Sequence, residues 1–274
     1  MFALAVLAAR ASTARAEDAD QPVPAAAPAA ASATAGDSFV LPAGKLLLDA
    51  QLELNLTSGA AFKPVSLAPD LWYGVNDDLS LGLVHSGLAE TGFIGAVGDS
   101  LCFTGSSNGC AHVYNKVGLD GRYRLAKPFA LDAGLYINSI SDPFMLDLKV
   151  GIDGRWSWDK VSLELQPSLL IGLTNRSPAT VMGMAVGTGN SEYLYIPATL
   201  AYRVAPRADL AFQTGLVLPF TDTSNAWAIP LAIAGRYALS PNFGLGLAFS
   251  FPDLIGGNST ADVRTLTLGG TYAF

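Results

Sequence analysis

The sequence predicts an all-β fold: a transmembrane antiparallel up-and-down β-barrel of about 12 strands, preceded by a disordered N-terminal segment. Three observations predict it. Of the 274 residues 50% are hydrophobic and only 14% are charged, yet no segment has the uniform apolar character of a membrane-spanning helix. From residue 45 onward, apolar and polar residues alternate with a period of two. Connections between the alternating segments are short at one end and mostly longer at the other.

The first 44 residues differ from the rest. Met1 to Ala9 is apolar and Ala14-Arg15-Ala16 has the small-x-small pattern of a signal-peptidase site, so residues 1–16 are predicted to be an export signal, although its usual basic start is missing. Residues 17–44 are rich in Ala and Pro and nearly lack large apolar side chains, which predicts a flexible periplasmic linker. Residues 45–274 are predicted to form the barrel.

The alternation places the strands in order along the chain. Predicted strands cover residues 45–56, 64–75, 79–86, 112–125, 129–138, 144–157, 161–173, 193–204, 209–220, 227–238, 243–251 and 264–274. Tight polar or Pro-containing turns are predicted at 76–78, 126–128, 158–160, 205–206 and 240–242, and the longer connections include 87–111 and 174–192. An even strand number with both chain ends on the short-turn side is typical of outer-membrane barrels, whereas a soluble sandwich has no reason to keep this order.

Charged residues segregate to one face of these strands. With parity set by the large apolar residues, the charges fall on the inner face, and only Arg264 falls on the outer one, at a rim where its side chain can reach lipopolysaccharide phosphate. Acidic and basic inner charges nearly cancel, so strong ion selectivity is not expected. The predicted pore-lining residues are Asp49, Glu53, Lys116, Asp120, Arg122, Asp132, Asp147, Lys149, Asp153, Arg155, Glu164, Arg203 and Arg236. They form either a salt-bridge network that stiffens or partly closes the barrel, or a constriction that filters small polar solutes.

Aromatic residues of the outer parity gather near the short-turn end, where a membrane interface favours them. The predicted girdle comprises Tyr73, Tyr123, Phe129, Trp156, Tyr202, Tyr237, Phe243, Tyr272 and Phe274.

The last eight residues carry a resemblance. Thr267, Gly269, Tyr272 and Phe274 occupy the positions of a pattern that is similar to the C-terminal assembly signal of bacterial outer-membrane β-barrel proteins. The resemblance implies a bacterial outer-membrane location and a transient partnership with the barrel assembly machinery, and it points to no subfamily. Outer-membrane lipids and lipopolysaccharide would be the permanent surroundings.

The interior of the predicted barrel offers both space and a plug. Inward positions of the tenth and eleventh strands are small, including Ala228, Ala232, Ala234, Gly244, Gly246 and Ala248, and cannot fill a twelve-stranded lumen. Residues 175–190 include Val181, Met182 and Met184, too apolar for a freely solvated loop, so they are predicted to plug the lumen or to cover an apolar ligand.

Few residues of the chain could form a disulfide or take part in catalysis. Cys102 and Cys110 lie eight positions apart in the longest loop and are predicted to form a local disulfide. His85 and His112 are the imidazoles available for catalysis, and Ser86 follows His85, but adjacent strand residues face opposite sides. No catalytic residue, metal site, cofactor or nucleic-acid partner is predicted.

The functional hypothesis is a narrow passive channel or binding transporter for small solutes of unknown identity. The alternative is a closed structural or surface-interaction barrel that acts through its loops. A lipid-modifying outer-membrane enzyme comes third.

Overall fold

The computed structural model describes residues 39–85, 100–108, 110, 112–114, 116–140, 144–176, 179–181, 184–186, 190–221, 223–224, 227–257 and 261–274. The strands are β1 (Leu46–Asn55), β2 (Val65–Asn76), β3 (Leu79–Val84), β4 (Leu101–Cys102), β5 (Val117–Ala126), β6 (Phe129–Ser139), β7 (Met145–Trp158), β8 (Val161–Leu165), β9 (Ser168–Gly172), β10 (Ala179–Val181), β11 (Met184–Val186), β12 (Tyr193–Ala205), β13 (Ala208–Pro219), β14 (Ala228–Ser240), β15 (Phe243–Gly256) and β16 (Thr265–Ala273). A single 3₁₀ turn, Ser106–Asn108, is the helical element of the described chain.

Neighbouring strands pair antiparallel in chain order, and the sheet closes on itself because β1 pairs with β16 from Leu47↔Ala273 to Asn55↔Thr265. The two-residue β4 adds only to the edge of β2, and β10 pairs with β11 as a separate hairpin. With β8 and β9 counted as one strand, the barrel has twelve strands, which confirms the predicted fold class. Among the described strands, closure removes the two free edges that an open sheet of the barrel strands would have, as a hydrocarbon environment demands.

The seventh barrel strand is interrupted at Pro167. Its two parts, β8 and β9, keep one register against β7, since Gly154 pairs with Leu165 and Gly151 with Ser168. Pro167 has no N–H to give to the ladder, but its carbonyl accepts a hydrogen bond from Ile152 at 3.0 Å. The predicted strand 161–173 is therefore continuous in space, with one donor missing.

Two-residue turns join β2 to β3, β5 to β6, β7 to β8, β12 to β13 and β14 to β15, all at one end of the barrel. We call this the short-turn end; β1 starts and β16 ends there, because Phe274 N donates to Leu46 O at 2.9 Å. The opposite, long-loop end carries β4 and the β10–β11 hairpin.

Apolar side chains cover the outer face of the barrel. Leu119 is 68% exposed and Ile233 is 63% exposed, although both lie in the middle of strands, while the residues beside them in sequence are buried. Seven of the nine predicted girdle residues are exposed as well: Tyr73, Tyr123, Phe129, Tyr202, Tyr237, Tyr272 and Phe274. An apolar band of this kind requires lipid around it.

Within the part of the chain that the structure describes, no helix has the length and apolar character to cross a membrane.

Candidate functional site in the barrel lumen

Strands β5, β6 and β7 line one side of the lumen with charged residues, and we call this side the charged wall. Lys149 lies at its centre, with Nζ 2.5 Å from Asp132 Oδ2 and 3.2 Å from Asp120 Oδ2. All three side chains are almost completely buried. The register places them together, because Asp120 pairs with Gly134 and Gly134 pairs with Lys149. The positive charge of the ammonium group thus compensates the negative charges of two carboxylates that are buried away from water.

The charged wall continues toward the short-turn end through Arg122, whose Nε lies 3.2 Å from Asp153 Oδ2. The face of Trp72 lies 4.0 Å from the Arg122 guanidinium, a distance at which cation–π attraction adds to the ion pair. Tyr136 donates its hydroxyl hydrogen to Asp120 at 2.5 Å. The predicted salt-bridge network therefore exists, and it is packed rather than solvated.

Further charge pairs lie near the short turns, on both sides of the barrel. Arg155 Nε is 2.9 Å from Glu164 Oε1, and Arg203 Nε is 3.3 Å from Asp209 Oδ1. The side chain of Arg203 is 40% exposed, so this pair is in contact with solvent and contributes little to stability.

The remaining predicted lumen charges lie apart from the charged wall. Glu53 accepts a hydrogen bond from Ser66 at 3.1 Å. Asp49 lies near Asp70 and Arg236, and Asp147 lies near Asn190 and Lys116, toward the long-loop end. Seven of the thirteen predicted residues are buried, and the structure brings five of these together in one cluster: Asp120, Arg122, Asp132, Lys149 and Asp153.

A short segment ahead of β1, residues 39–44, lies inside the barrel at the short-turn end; we call it the strap. Phe39, Val40 and Leu41 are each 4% exposed. Leu41 packs with Trp72, Val84 and Tyr136, and Phe39 and Val40 pack against Ala130. The sequence predicts a flexible linker over residues 17–44, but the last six of these residues, 39–44, lie in the barrel interior instead. The only sequence signal was the apolar run Phe-Val-Leu, too short to stand out from the Ala/Pro-rich stretch.

Polar contacts fix the strap where it enters the lumen. Leu41 N donates to Ser80 Oγ at 2.7 Å, and Ala43 N donates to Asp77 Oδ1 at 3.1 Å. Gly74, which faces the strap, has no room for a side chain, because a Cβ there would lie 2.1 Å from the Pro42 carbonyl oxygen. Only glycine at this position lets the barrel wall and the strap backbone approach so closely.

Space inside the barrel is unevenly distributed. On the strands around the charged wall, a Cβ added to Gly82, Gly118 or Gly134 would lie 2.6 Å from an atom of Trp72, Tyr136 or Asp120. On β16, a Cβ added to Gly269 would meet, apart from its chain neighbours, only the Gly246 Cα, at 3.9 Å. The described residues fill the lumen beside β2–β7 and leave room beside Gly269 of β16.

The small inward side chains of β14 and β15 divide into two groups. Ala232, Ala234 and Ala248 are buried together with Ala211. Their short side chains lie close to each other on a concave surface, which shields them from solvent. Gly246, also one of the predicted small positions, pairs with Gly269 of β16 and is only half-buried like it; we call these two residues the glycine path.

At the long-loop end, His85 follows β3 and is 7% exposed. Its Nδ1 lies 2.5 Å from the Pro69 carbonyl oxygen, which can only accept, so Nδ1 carries the proton and Nε2 accepts from the Tyr114 hydroxyl at 2.8 Å. Partial burial raises the pKa of the Tyr114 phenol above its ordinary value of 10.0, which keeps this donor protonated. Ser86, the candidate nucleophile beside His85, lies outside the described residues.

The predicted disulfide between Cys102 and Cys110 is confirmed, with the two Cα atoms 5.8 Å apart. Cys102 pairs with Ser66 of β2, so the disulfide fixes the end of the longest loop to the barrel rim.

The predicted plug segment, residues 175–190, contains the backbone hairpin β10–β11, and the side chains of Val181, Met182 and Met184 lie outside the described residues. Its two ends are fastened to the barrel. Asn175 donates from Nδ2 to Phe144 O at 2.7 Å, and Asn190 donates from Nδ2 to Leu146 O at 3.0 Å. Arg176 and Glu192 form an ion pair across the base of the segment.

Comparison with known proteins identifies the class of fold. The chain is similar to the NanC porin, with 11% identity over 82% of this chain and 98% of that chain and a TM-score of 0.55. It is also similar to an outer membrane channel from Pseudomonas putida F1, with 16% identity over 86% of this chain and 97% of that chain and a TM-score of 0.50. The fold is thus that of bacterial outer-membrane channels. No protein-family model and no curated protein sequence matches the chain.

Proposed function

We propose that this chain is a passive channel for small solutes in the bacterial outer membrane. The observation that carries the proposal is the glycine path: among the described residues, a Cβ added to Gly269 would meet, apart from its chain neighbours, only the Gly246 Cα at 3.9 Å, so the inner wall leaves room at this point of the closed barrel. Inner charges of both signs border the lumen, among them Asp49 and Arg236. A lining of mixed charge favours polar solutes without strong preference for anions or cations.

Within this proposal seven of the thirteen predicted lumen charges divide between two roles. Asp49, Arg203 and Arg236 lie on β1, β12 and β14, on the roomy side, where they would contact a passing solute. The buried members of the charged wall, Asp120, Asp132, Lys149 and Asp153, would instead hold the opposite side rigid and restrict the path to one side of the barrel.

A closed structural barrel is the second candidate, and the packed charged wall together with the strap favours it. The two candidates differ in permeability. Purified protein in liposomes should allow swelling in isotonic solutions of small neutral sugars, and the rate should fall as the sugar becomes larger.

The substitution Gly269→Leu should reduce the swelling rate roughly by half or more, because the narrowest cross-section limits diffusion. Its matched control is Gly270→Leu, one residue away on the lipid-facing side, where an added Cβ would meet only Leu245 at 4.0 Å. Absence of swelling for folded wild-type protein, or an equal effect of both substitutions, would contradict the proposed channel.

We also propose that the chain is exported by residues 1–16 and assembled through Thr267, Gly269, Tyr272 and Phe274. In support, Tyr272 and Phe274 are exposed on the outer face with ring centroids 4.5 Å apart, where an assembly factor can contact them before lipid does. Deleting Phe274 should lower the amount of barrel that migrates as a folded, heat-modifiable species in outer-membrane fractions. An undiminished amount would show that this residue is not part of an assembly signal.

A further inference from the structure

The strap occupies a fitted seat inside the short-turn end of the barrel. We propose that residues 39–44 form a displaceable internal plug whose departure opens the short-turn end of the lumen to solutes. This inference rests on the proposed channel function for its consequence, but the seating and release of the strap can be measured without any transport.

The seat reaches across several strands. Leu41 belongs to one buried cluster with Trp72 of β2, Val84 of β3 and Tyr136 of β6, and its N–H donates to Ser80 of β3. Phe39 lies against the short-turn end of β5 and β7. Its ring centroid is 4.3 Å from the Arg155 guanidinium and 5.6 Å from the Arg122 guanidinium. A segment of three apolar residues thus covers the inner surface from β2 to β7 at the mouth of the barrel.

The barrel wall is shaped to receive the strap. Gly74 leaves space for the Pro42 carbonyl, and Gly82 leaves space for the ring of Trp72, on which Leu41 packs. The Ser80 hydroxyl accepts the Leu41 N–H, so this backbone donor is satisfied although it is buried. These fits indicate a defined binding mode and not a chance collapse of the N-terminal segment.

The strap is nevertheless attached less firmly than a strand. Residues 39–45 belong to no strand, since β1 begins at Leu46. The connection to β1 passes through Gly44, whose φ of +73° is readily available only to glycine, and through the turn in which Lys45 N donates to Pro42 O at 3.1 Å. Gly44 N donates to Gly74 O and Gly74 N donates to Lys45 O, each at 2.8 Å, so the end of the strap is held to β2. Residues 39–43 can swing away about Gly44 without breaking the pairing of β1.

Release of Phe39 leaves no uncompensated charge behind. Arg122 keeps its ion pair with Asp153, and Arg155 keeps its ion pair with Glu164. The cost of release is the loss of the Leu41–Ser80 and Ala43–Asp77 hydrogen bonds and the exposure of apolar surface to water, which a solute that enters the seat can reduce. The charged wall is thus built to stay folded in both states.

A reporter thiol tests whether the strap covers the seat. Ala130 is 1% exposed beneath Phe39 and Val40, and both native cysteines are held in the Cys102–Cys110 disulfide, so Ala130→Cys supplies the one reactive thiol. We expect a charged, membrane-impermeant thiol reagent to modify this cysteine slowly but measurably. The double substitution Phe39→Ser/Leu41→Ser should raise the modification rate about tenfold or more, because the covered state is then lost.

Two further variants keep the test specific. Pro42→Ala changes an exposed residue within the strap, retains the carbonyl that Gly74 faces, and should leave the modification rate unchanged. Gly74→Ala leaves the strap sequence intact but places a methyl group against the Pro42 carbonyl, and it should raise the rate as the double substitution does. Heat-modifiable migration confirms that each variant forms the barrel.

Planar-bilayer conductance of the same proteins separates the two proposals. A higher modification rate together with a mean conductance about tenfold above wild type supports the plug in a channel. A higher modification rate with no conductance in any variant supports release of the strap and refutes the proposed channel. Equal modification rates in wild type, Phe39→Ser/Leu41→Ser and Gly74→Ala would overturn the plug.

Discussion

Replacing Lys149 with Met is expected to lower the free energy of unfolding by about 3–5 kcal/mol, because it leaves buried carboxylates without their counter-ion. Asp132 and Asp120 lie within 2.5 Å and 3.2 Å of the ammonium group, and both are almost completely buried. Met retains much of the volume of the lysine stem, so the loss measures charge compensation and not a cavity. Urea unfolding in phospholipid vesicles, followed by tryptophan fluorescence, gives the quantity directly.

The control for Lys149→Met is the double variant Lys149→Met/Asp132→Asn, in which one of the two orphaned charges is also removed. It should recover a large part of the lost stability, since the destabilisation comes from an unpaired buried charge. A loss below about 1 kcal/mol for Lys149→Met would be typical of solvent-exposed ion pairs and would show that the charged wall is hydrated.

Strand parity was the part of the fold that the sequence determined best. In β5, for example, Asp120 and Arg122 alternate with Leu119 and Tyr123, and the structure places the first pair inside and the second pair on the exposed outer face. A one-residue slip would put charges into lipid, so the pattern specifies the face of every strand. Two-residue turns fixed the order in which strands pair.

Which charges meet across the lumen could not be read from the alternation. Lys149 contacts Asp120 two strands away because a lysine side chain is long enough to cross β6 at Gly134, whose missing side chain leaves the space. Such contacts depend on barrel curvature and on the size of the intervening residue, and neither is encoded in a period of two.

The strap escaped prediction for a related reason. Phe39, Val40 and Leu41 have no periodic neighbours, and their burial depends on a seat formed by residues 31 to 95 positions later in the chain. The interruption at Pro167 likewise leaves the strand register unchanged. The alternation of apolar and polar residues therefore did not reveal it, and the pairing with β7 continues on both sides of it.

Membrane insertion of the barrel is the claim on which the fold, the lumen and the proposed function all depend. It requires that outward-facing side chains contact lipid hydrocarbon in the middle of each strand and lie at the membrane–water interface near the short turns. β14 carries a residue of each kind on the same outer face: Ile233, 63% exposed at the centre, and Tyr237, 50% exposed in the aromatic girdle. An arginine at each position therefore samples two depths on one strand.

The decisive measurement is the free energy of unfolding in phospholipid vesicles for Ile233→Arg and Tyr237→Arg. The account predicts a loss of about 2–4 kcal/mol for the mid-strand arginine and about 0–1 kcal/mol for the girdle arginine, because the cost of a charge on the lipid face depends on depth. Equal and negligible losses at both positions would mean that the outer face of β14 is in water, and would contradict the membrane barrel.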